Sequence, residues 1–491
     1  MNILPLNFLI RYPQALLQAL ADITETRKTQ FYIAGGTIRD WLQDMAGRDL
    51  DITVAVDGYG CAKELAERLG GSFVALDAKE DVARAVWRDI SIDISGFREG
   101  AETIEEDLAK RDFTINAMAV PFMSCWANEK GHKQPVSLID PTGGVDDLKR
   151  QIVRSTSNRV FVADPLRLLR AYRFMACLGF GLDPKTENNI RPLVSLTKKV
   201  AVERLAYELD LIIASDRAYL TLRAMHESGL LQELFPELLK GEGIKQPASH
   251  HLDVFEHSLA TLLWMEKLLQ QPGPYFPGHG EDMTSYIVAA RNRKKRLKWS
   301  ALFHDLGKPD TYLVREEKGG RITFYNHDAV GARLFKKIAA RFKWSNEDTK
   351  EVARFIERHM WPFHLNNARK KTNLSSRAYL KLAKVVGKEL PGLFLLAMAD
   401  SLAGRGEDKP QTMEEDLISL YEEASKVYQK SIKPVLESPR LLTGHDLRQL
   451  FGLPPGPVFR EIFDGLEGAQ VAGEVRCRQE AISWVKVFLN R

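Results

Sequence analysis

The sequence predicts an α+β chain in which a small mixed β-sheet flanked by helices is followed by helical segments only. Three observations predict it. Short apolar or alternating stretches bounded by glycines and charged residues all lie before residue 100. From residue 151 onward the apolar residues return at helical spacing. A length of 491 residues exceeds what one hydrophobic core supports, so several domains are expected. We place a head at 1–150, a helical neck at 151–245, a third domain at 246–405 after a composition shift at Gly241–Pro247, and a helical tail at 406–491.

In chain order, residues 12–22 read as a helix leading into a buried strand, Phe31–Ala34. Gly35-Gly36 then turns the backbone sharply into a short helix, and a second strand carries Asp49 and Asp51. Residues 60–69 form an amphipathic helix closed by Gly70-Gly71. Strands follow around Phe73–Leu76, Ala83–Trp87 and Ser91–Ile94. The remainder reads as helices, with no internal repeat and no low-complexity tract.

Composition is that of a soluble protein, with 44% hydrophobic residues and no apolar run long enough to span a membrane. Cys61, Cys125, Cys177 and Cys477 lack metal or disulfide spacing, which with the absence of a signal-peptide pattern predicts a reducing cytoplasm. A net charge of +4 does not by itself argue for nucleic acid, and the basic run Arg291–Lys298 is expected to be a solvated surface.

The chemistry begins at the glycine turn. A helix starting near Thr37 aims free N–H groups at the gap, Arg39 can pair with phosphate oxygens, and Asp40 can hold Arg39. Asp49 and Asp51, two apart on one strand, share a face and offer hard oxygen ligands suited to Mg²⁺. Spacing leaves Asp93, in the SIDIS stretch, open as an exposed strand acid or a third carboxylate.

The GGTIRD…DLD pattern from Gly35 to Asp51 resembles the nucleotidyltransferases of the DNA polymerase β superfamily, specifically the bacterial tRNA nucleotidyltransferase and poly(A) polymerase branch. Lys110–Ala117 (KRDFTINA) is similar to that family's RRDFTINA block, and Asp164–Phe174 (DPLRLLRAYRF) to its base-selecting block. The resemblance implies Asp93 as the third catalytic carboxylate, beside Asp49 and Asp51, which would hold two Mg²⁺ ions. It implies Gly35, Gly36, Arg39, Asp40, Arg111, Asp112 and Asn116 around the ribose and triphosphate. It also implies Asp164 and Arg167 as a protein template for cytosine or adenine, with Arg170 and Arg173 extending the basic side. Ala163 stands where the family usually has Glu. Asp140–Gly144 with Asp147-Leu148 resembles a structural turn of the family, and Glu203, Arg204 and Glu208 its later ER block, both read as structure rather than chemistry.

His257, His304-Asp305, His327, His359 and Asp400 follow the order of an HD-type metal phosphohydrolase domain. That resemblance implies a metal on His257, His304, Asp305 and Asp400. Lys308 would lie near the phosphate, and His327 and His359 would complete a second metal site or bind substrate. Such donors suit Mn²⁺, Ni²⁺, Fe²⁺ or Zn²⁺ better than Mg²⁺. His250, His251, His364 and His445 have no place in the pattern, and the His445-Asp446 pair is read as a decoy.

Together these imply a class II tRNA nucleotidyltransferase that adds CMP, from CTP, to the tRNA 3′ end. AMP from ATP is added either by this chain or by a separate A-adding enzyme acting next. Members that add the terminal A generally carry a longer basic loop, whereas here the short acidic link Arg98–Ala109 precedes Lys110, which leans the reading toward CC addition. The rivals are a poly(A) polymerase and a chain whose main activity is HD phosphodiesterase or phosphatase action on RNA ends.

Overall fold

The computed structural model describes residues 8–45, 47, 49–129, 136–372 and 374–490. The chain divides into two compact units, the first ending at Leu234 and the second beginning at Phe235.

In the first unit, α1 (Gln14–Arg27) buries Leu16, Leu17, Leu20 and Ile23, a stripe at helical spacing, and ends where Lys28 adopts a left-handed conformation. A six-stranded sheet follows. Its strands are β1 (Phe31–Ala34), β2 (Leu50–Val54), β3 (Ser72–Asp77), β4 (Val82–Trp87), β5 (Ile90–Gly96) and β6 (Ala119–Pro121), in the order β3-β4-β5-β2-β1-β6. All pairs are antiparallel except β2 with β5, so the sheet is mixed as expected. Two helices serve it: α2 (Gly36–Leu42) leaves the β1 turn, and α3 (Gly58–Leu69) buries Cys61, Ala62, Leu65 and Ala66 against β4 and β5.

The parallel pairing matters most for chemistry. Its register sets Asp51 opposite Asp93, and the β4–β5 hairpin sets Arg84 opposite Asp93. One row across three strands therefore reads Asp51, Asp93, Arg84. Asp49 lies just before β2 and is exposed, rather than within the strand as the spacing suggested. The edge strand β6 was not legible, because three residues ending in proline are too short to alternate.

The link before Lys110 is ordered: a 3₁₀ turn at Arg98–Gly100 and then α4 (Ile104–Ala109), capped by Thr103. The Asp140–Gly144 turn docks on the KRDFTINA block. Asp140 accepts from the N–H groups of Gly144 (2.7 Å) and Val145 (2.9 Å), and Asp147 accepts from the Thr114 hydroxyl (2.8 Å). Beyond it, α5 (Leu166–Leu178) buries Leu168, Leu169, Tyr172 and Phe174 and packs on α6 (Val202–Ala214). A short parallel pair, Ile152–Val153 with Gly181–Leu182, interrupts the otherwise helical neck.

Among the described residues, the second unit is helical apart from one hairpin, Leu313–Arg315 with Arg321–Thr323. Its relevant helices are α7 (Val254–Gln270), α8 (Arg293–Phe303), α9 (His327–Arg341), α10 (Asn346–Arg358) and α11 (Leu390–Ala403). Residues 392–401 of α11 are buried without a break, which explains a segment apolar all round. The basic run opens α8 and is largely consumed in structure: Arg296 pairs with Asp348 (2.6 Å) and Glu347 (3.1 Å), Lys295 with Asp348 (3.2 Å), and Arg293 with Glu389 (3.4 Å). The tail has its own core of Leu447, Ile462, Leu466 and Val485. There Asp446 forms a capping box with Thr443 and pairs with Arg478 at 2.6 Å, a purely local role for the decoy acid.

Candidate functional site

The first unit carries a cleft of about 420 Å³ lined by seven arginines and four aspartates. Its floor is the glycine turn. Gly35 has φ +70°, and a Cβ there would meet Arg111 Nη1 at 3.0 Å and Asp51 Oδ2 at 3.1 Å; a Cβ on Gly36 would also meet Asp51 Oδ2 at 3.1 Å. The two glycines thus keep open the space in front of the Asp51 carboxylate. The expectation for the helix start is modified, because the Thr37 N–H points at Asp51 Oδ2 (3.3 Å) and the Thr37 hydroxyl accepts from the Asp51 N–H (2.8 Å). Burial, and then Asp93, raises the Asp51 carboxyl above its ordinary range, with Arg111 opposing. Gly35→Ala is expected to cost about 1–3 kcal/mol of stability by forcing a side chain into a glycine-only conformation, and to lower kcat by displacing the Asp51 carboxylate. Thermal denaturation and steady-state kinetics check it.

The guanidinium groups are held in a chain of carboxylates. Asp40 grips Arg39 (Nε–Oδ1 2.8 Å), and Arg39 donates to Asn116 Oδ1 at 2.7 Å. Asn116 in turn donates to Asp112 Oδ1 (3.1 Å), and Arg170 donates to Asp112 Oδ2 (2.6 and 3.0 Å). Burial favours the neutral acid, but Arg170 and Arg167 outweigh it and hold Asp112 far below the usual carboxylate range. Asp112 and Asn116, expected beside ribose and phosphate, therefore spend most of their capacity positioning Arg170 and Arg39. Phe174 gathers the cluster, with Arg173 stacked at 3.9 Å from its ring centre and Arg39 and Arg170 at 5.3 and 5.4 Å.

On the other wall, the fully buried Asp107 of α4 holds Arg98 (2.9 Å) and Arg111 (3.1 Å). Burial pulls the Arg111 guanidinium down to about 10, with Arg98 adding and Asp107 opposing, so it stays charged at neutral pH. Asp107→Asn keeps the shape and removes the anchor charge. It is expected to weaken binding of an anionic ligand in the cleft about tenfold, since charged hydrogen bonds of this type contribute roughly 1.5–3 kcal/mol.

Asp164 and Arg167 both line the cleft, and the Arg167 N–H donates to the Asp164 carbonyl at 3.0 Å. Asp164 Oδ1 accepts from the Leu166 N–H (3.1 Å), and Oδ2 pairs with Arg204 (3.0 Å). The Arg167 guanidinium donates to the Lys110 and Val160 carbonyls, both at 3.4 Å, and acts on Asp112 through its charge. The sequence reading gives Glu203 and Arg204 to neck structure. In the fold Arg204 lines the cleft, and Glu208 pairs with Arg173 (2.6 Å) and Arg170 (3.6 Å).

The second unit brings every HD residue together. His257 projects from α7, His304-Asp305 follow α8, His327 opens α9, His359 follows α10, and Asp400 lies on α11. Two three-ligand groups result among the described residues: His257, His304 and Asp400, and Asp305, His327 and His359. Asp305 stands between them, with Oδ2 3.1 Å from His304 Nε2 and Oδ1 3.4 and 3.7 Å from the Nε2 atoms of His327 and His359. The Nδ1 atoms of His304, His327 and His359 each face a backbone carbonyl three residues earlier, at 2.9, 2.7 and 2.7 Å. That fixes Nδ1 as the protonated nitrogen and turns each Nε2 lone pair inward. His304 Nε2 is buried and faces the Asp305 carboxylate, which raises the ring's basicity against burial, and the imidazole and carboxylate donor set fits a borderline metal. Burial lowers His257 and His327, and takes His359 down to about 3, leaving them neutral as ligation requires.

Lys308 lines the cleft that adjoins these ligands. Its ammonium is buried, 2.6 Å from Asp305 Oδ2 and 2.7 Å from Gln246 Oε1, so it serves the carboxylate directly. His250 and His364, left out of the sequence pattern, line the adjoining 570 Å³ cleft, and the His250 ring lies edge-on to His257 at 4.7 Å.

Comparison with known proteins then decides the family. The model for the poly A polymerase head domain matches residues 31–154, that for a probable RNA and SrmB-binding site of polymerase A residues 179–241, and the HD domain model residues 254–403. The chain is 33% identical to the A-adding tRNA nucleotidyltransferase of Deinococcus radiodurans, covering 92% of this chain and 94% of that one. It is 31% identical to the CC-adding tRNA nucleotidyltransferase of Thermus thermophilus, covering 91% of both. The chain belongs to the tRNA nucleotidyltransferase family. The fold agrees: a CCA-adding enzyme solved with ATP aligns with a TM-score of 0.65 at 20% identity over 100% of this chain and 99% of that one. A Thermotoga maritima CCA-adding enzyme complexed with tRNA aligns with a TM-score of 0.63 at 20% identity over all of both chains. Membership in this tRNA nucleotidyltransferase family sets aside the poly(A) polymerase rival, since the relatives matched over more than nine-tenths of the chain are tRNA nucleotidyltransferases. Among the described residues no helix is long and apolar enough to cross a membrane.

Proposed function

We propose that this chain adds CMP to the 3′ end of tRNA without a nucleic-acid template, and that the arginine-rich cleft of the first unit is where it does so. The observation that carries the reading is the lining itself, in which seven arginines outnumber four aspartates. That excess of positive charge suits a triphosphate, while Asp51 and Asp93 give hard oxygen donors on adjacent strands. A divalent cation such as Mg²⁺ on Asp49 and Asp51, with Asp93 beside them, would neutralise phosphate charge and acidify the attacking 3′-hydroxyl.

The chain's own residues supply positioning. Arg39, Arg98, Arg111 and Arg170 are pre-oriented by Asp40, Asp107 and Asp112, so little reorganisation remains when phosphate arrives. Asp164 and Arg167 offer an acceptor and a donor to the Watson–Crick edge of a base. With Ala163 lacking a carboxylate, Arg204 orients Asp164 from the neighbouring helix.

The finer reading is CC addition, with a separate enzyme adding the final A. It is supported by the link Arg98–Ala109, which is short and folds into a turn and α4 instead of forming a long basic loop. Labelled CTP alone, ATP alone and both together, supplied to tRNA lacking CCA, test it. CMP incorporation that stops after two residues is expected, and efficient AMP addition after CC contradicts the specialist reading.

The HD centre favours a second activity, metal-dependent hydrolysis of phosphoesters at RNA ends, in which His257, His304, Asp305 and Asp400 would hold Mn²⁺, Ni²⁺, Fe²⁺, Zn²⁺ or Mg²⁺ to activate water, and His327 and His359 would complete a second metal site or bind substrate. Both activities belong to a cytoplasmic protein in this reading.

A further inference from the structure

Asp93 is held by a residue that the chemistry of nucleotide addition leaves unexplained. Arg84 stands opposite it in the β4–β5 register and grips both carboxylate oxygens, Nε to Oδ1 at 2.6 Å and Nη2 to Oδ2 at 2.8 Å. This two-point fork is the strongest geometry an arginine and a carboxylate adopt. Both partners remain about one-third exposed, at 38% and 32%, so the pair is held by geometry more than by burial and can be exchanged. Asp51, next in the same row, is held differently: its Oδ2 accepts from the Thr37 N–H at 3.3 Å, and Arg111 and Arg39 act on it through their charge.

We infer that Arg84 is a resident counter-cation of the head's metal centre: it holds Asp93 through both carboxylate oxygens and competes with a divalent cation for that charge. Arg84 is thus a positioning residue. It keeps two like-charged carboxylates in adjacent strands from repelling each other, and it lowers the affinity of the centre for a cation in the absence of nucleotide. The inference rests on the assignment of Asp49 and Asp51 to a metal centre.

Equilibrium binding of Mn²⁺ to the full-length chain, read from the electron paramagnetic resonance signal of free Mn²⁺, tests it. The HD sites are the same in every variant and cancel in the comparison. Arg84→Met is expected to bind the head Mn²⁺ about fivefold more tightly than wild type, the free energy of a well-formed, partly exposed ion pair. Arg84→Lys keeps the charge and loses the fork, and is expected to fall between them. Adding Asp93→Asn to Arg84→Met is expected to cancel the gain. Wild-type affinity in both Arg84→Met and Arg84→Lys overturns the inference, as does a gain that survives Asp93→Asn; should Arg84→Met fail to fold, Arg84→Lys carries the test alone. Failure of the underlying assignment looks different: Asp49→Ala with Asp51→Ala would leave the number of bound Mn²⁺ ions unchanged.

Discussion

If the HD centre acts as proposed, Asp305→Ala is expected to weaken metal binding by the second unit, abolish the proposed phosphoester hydrolysis and lower the thermal midpoint of that unit by roughly 10 °C, while nucleotide addition is retained. Two effects combine. Asp305 presents one oxygen to each three-ligand group, so its loss removes a donor from both at once. It also leaves the Lys308 ammonium buried with only the Gln246 carbonyl as partner. Breaking a buried pair by deleting one member costs about 3–5 kcal/mol, which in a unit of this size is a shift of several to some twenty degrees. Metal analysis, calorimetry and the two activity assays check it. The Asp305 carboxylate is held well below its ordinary value, because His304 and Lys308 outweigh the burial that would neutralise it. This stabilisation is therefore complete above the unfolded carboxylate value of about 4 and is lost only as pH falls through the depressed one.

Asp112→Ala is expected to lower kcat/KM for nucleotide addition roughly 10²-fold and to destabilise the first unit by about 2–3 kcal/mol. The carboxylate is the centre of the chain that runs from Arg39 through Asn116 to Arg170, so its removal releases two guanidiniums from the phosphate side of the cleft. The stability loss falls below that of a fully buried pair because Arg170 is 30% exposed and retains Glu208 at 3.6 Å. Asp112→Asn, which preserves the hydrogen bonds to Phe113 and Asn116, is expected to recover most of the stability and little of the activity. Denaturant titration and steady-state kinetics separate the two.

Much of this was legible before any coordinates. The glycine turn and the alternating strands follow from local periodicity or spacing, and local rules survive folding, while the histidines are placed by their resemblance in order to an HD-type domain. What escaped was pairing across elements. Arg84 is instructive, because the strands flanking Arg88-Asp89 pair Trp87 with Ile90, and that tight turn alone fixes Arg84 opposite Asp93. Asp107 and Arg111 are four apart, a helical ion-pair spacing overlooked because the link was read only for its length and charge. Arg204 had no local signal of its own: its contact with Asp164 joins two helices forty residues apart in sequence, and only the packing of α6 on α5 creates it. Asp49 shows the opposite error, in which a period-two rule was carried one residue beyond the end of the strand.

The most direct test of the whole account is a crossed pair of double variants assayed on tRNA lacking CCA and on a 2′,3′-cyclic phosphate RNA end. Asp49→Ala with Asp51→Ala is predicted to lose CMP addition by at least about 10³-fold and to keep hydrolysis, and His304→Ala with Asp305→Ala to do the reverse. CMP addition that survives removal of Asp49 and Asp51 would contradict the placement of the nucleotide-adding centre in the first unit's cleft.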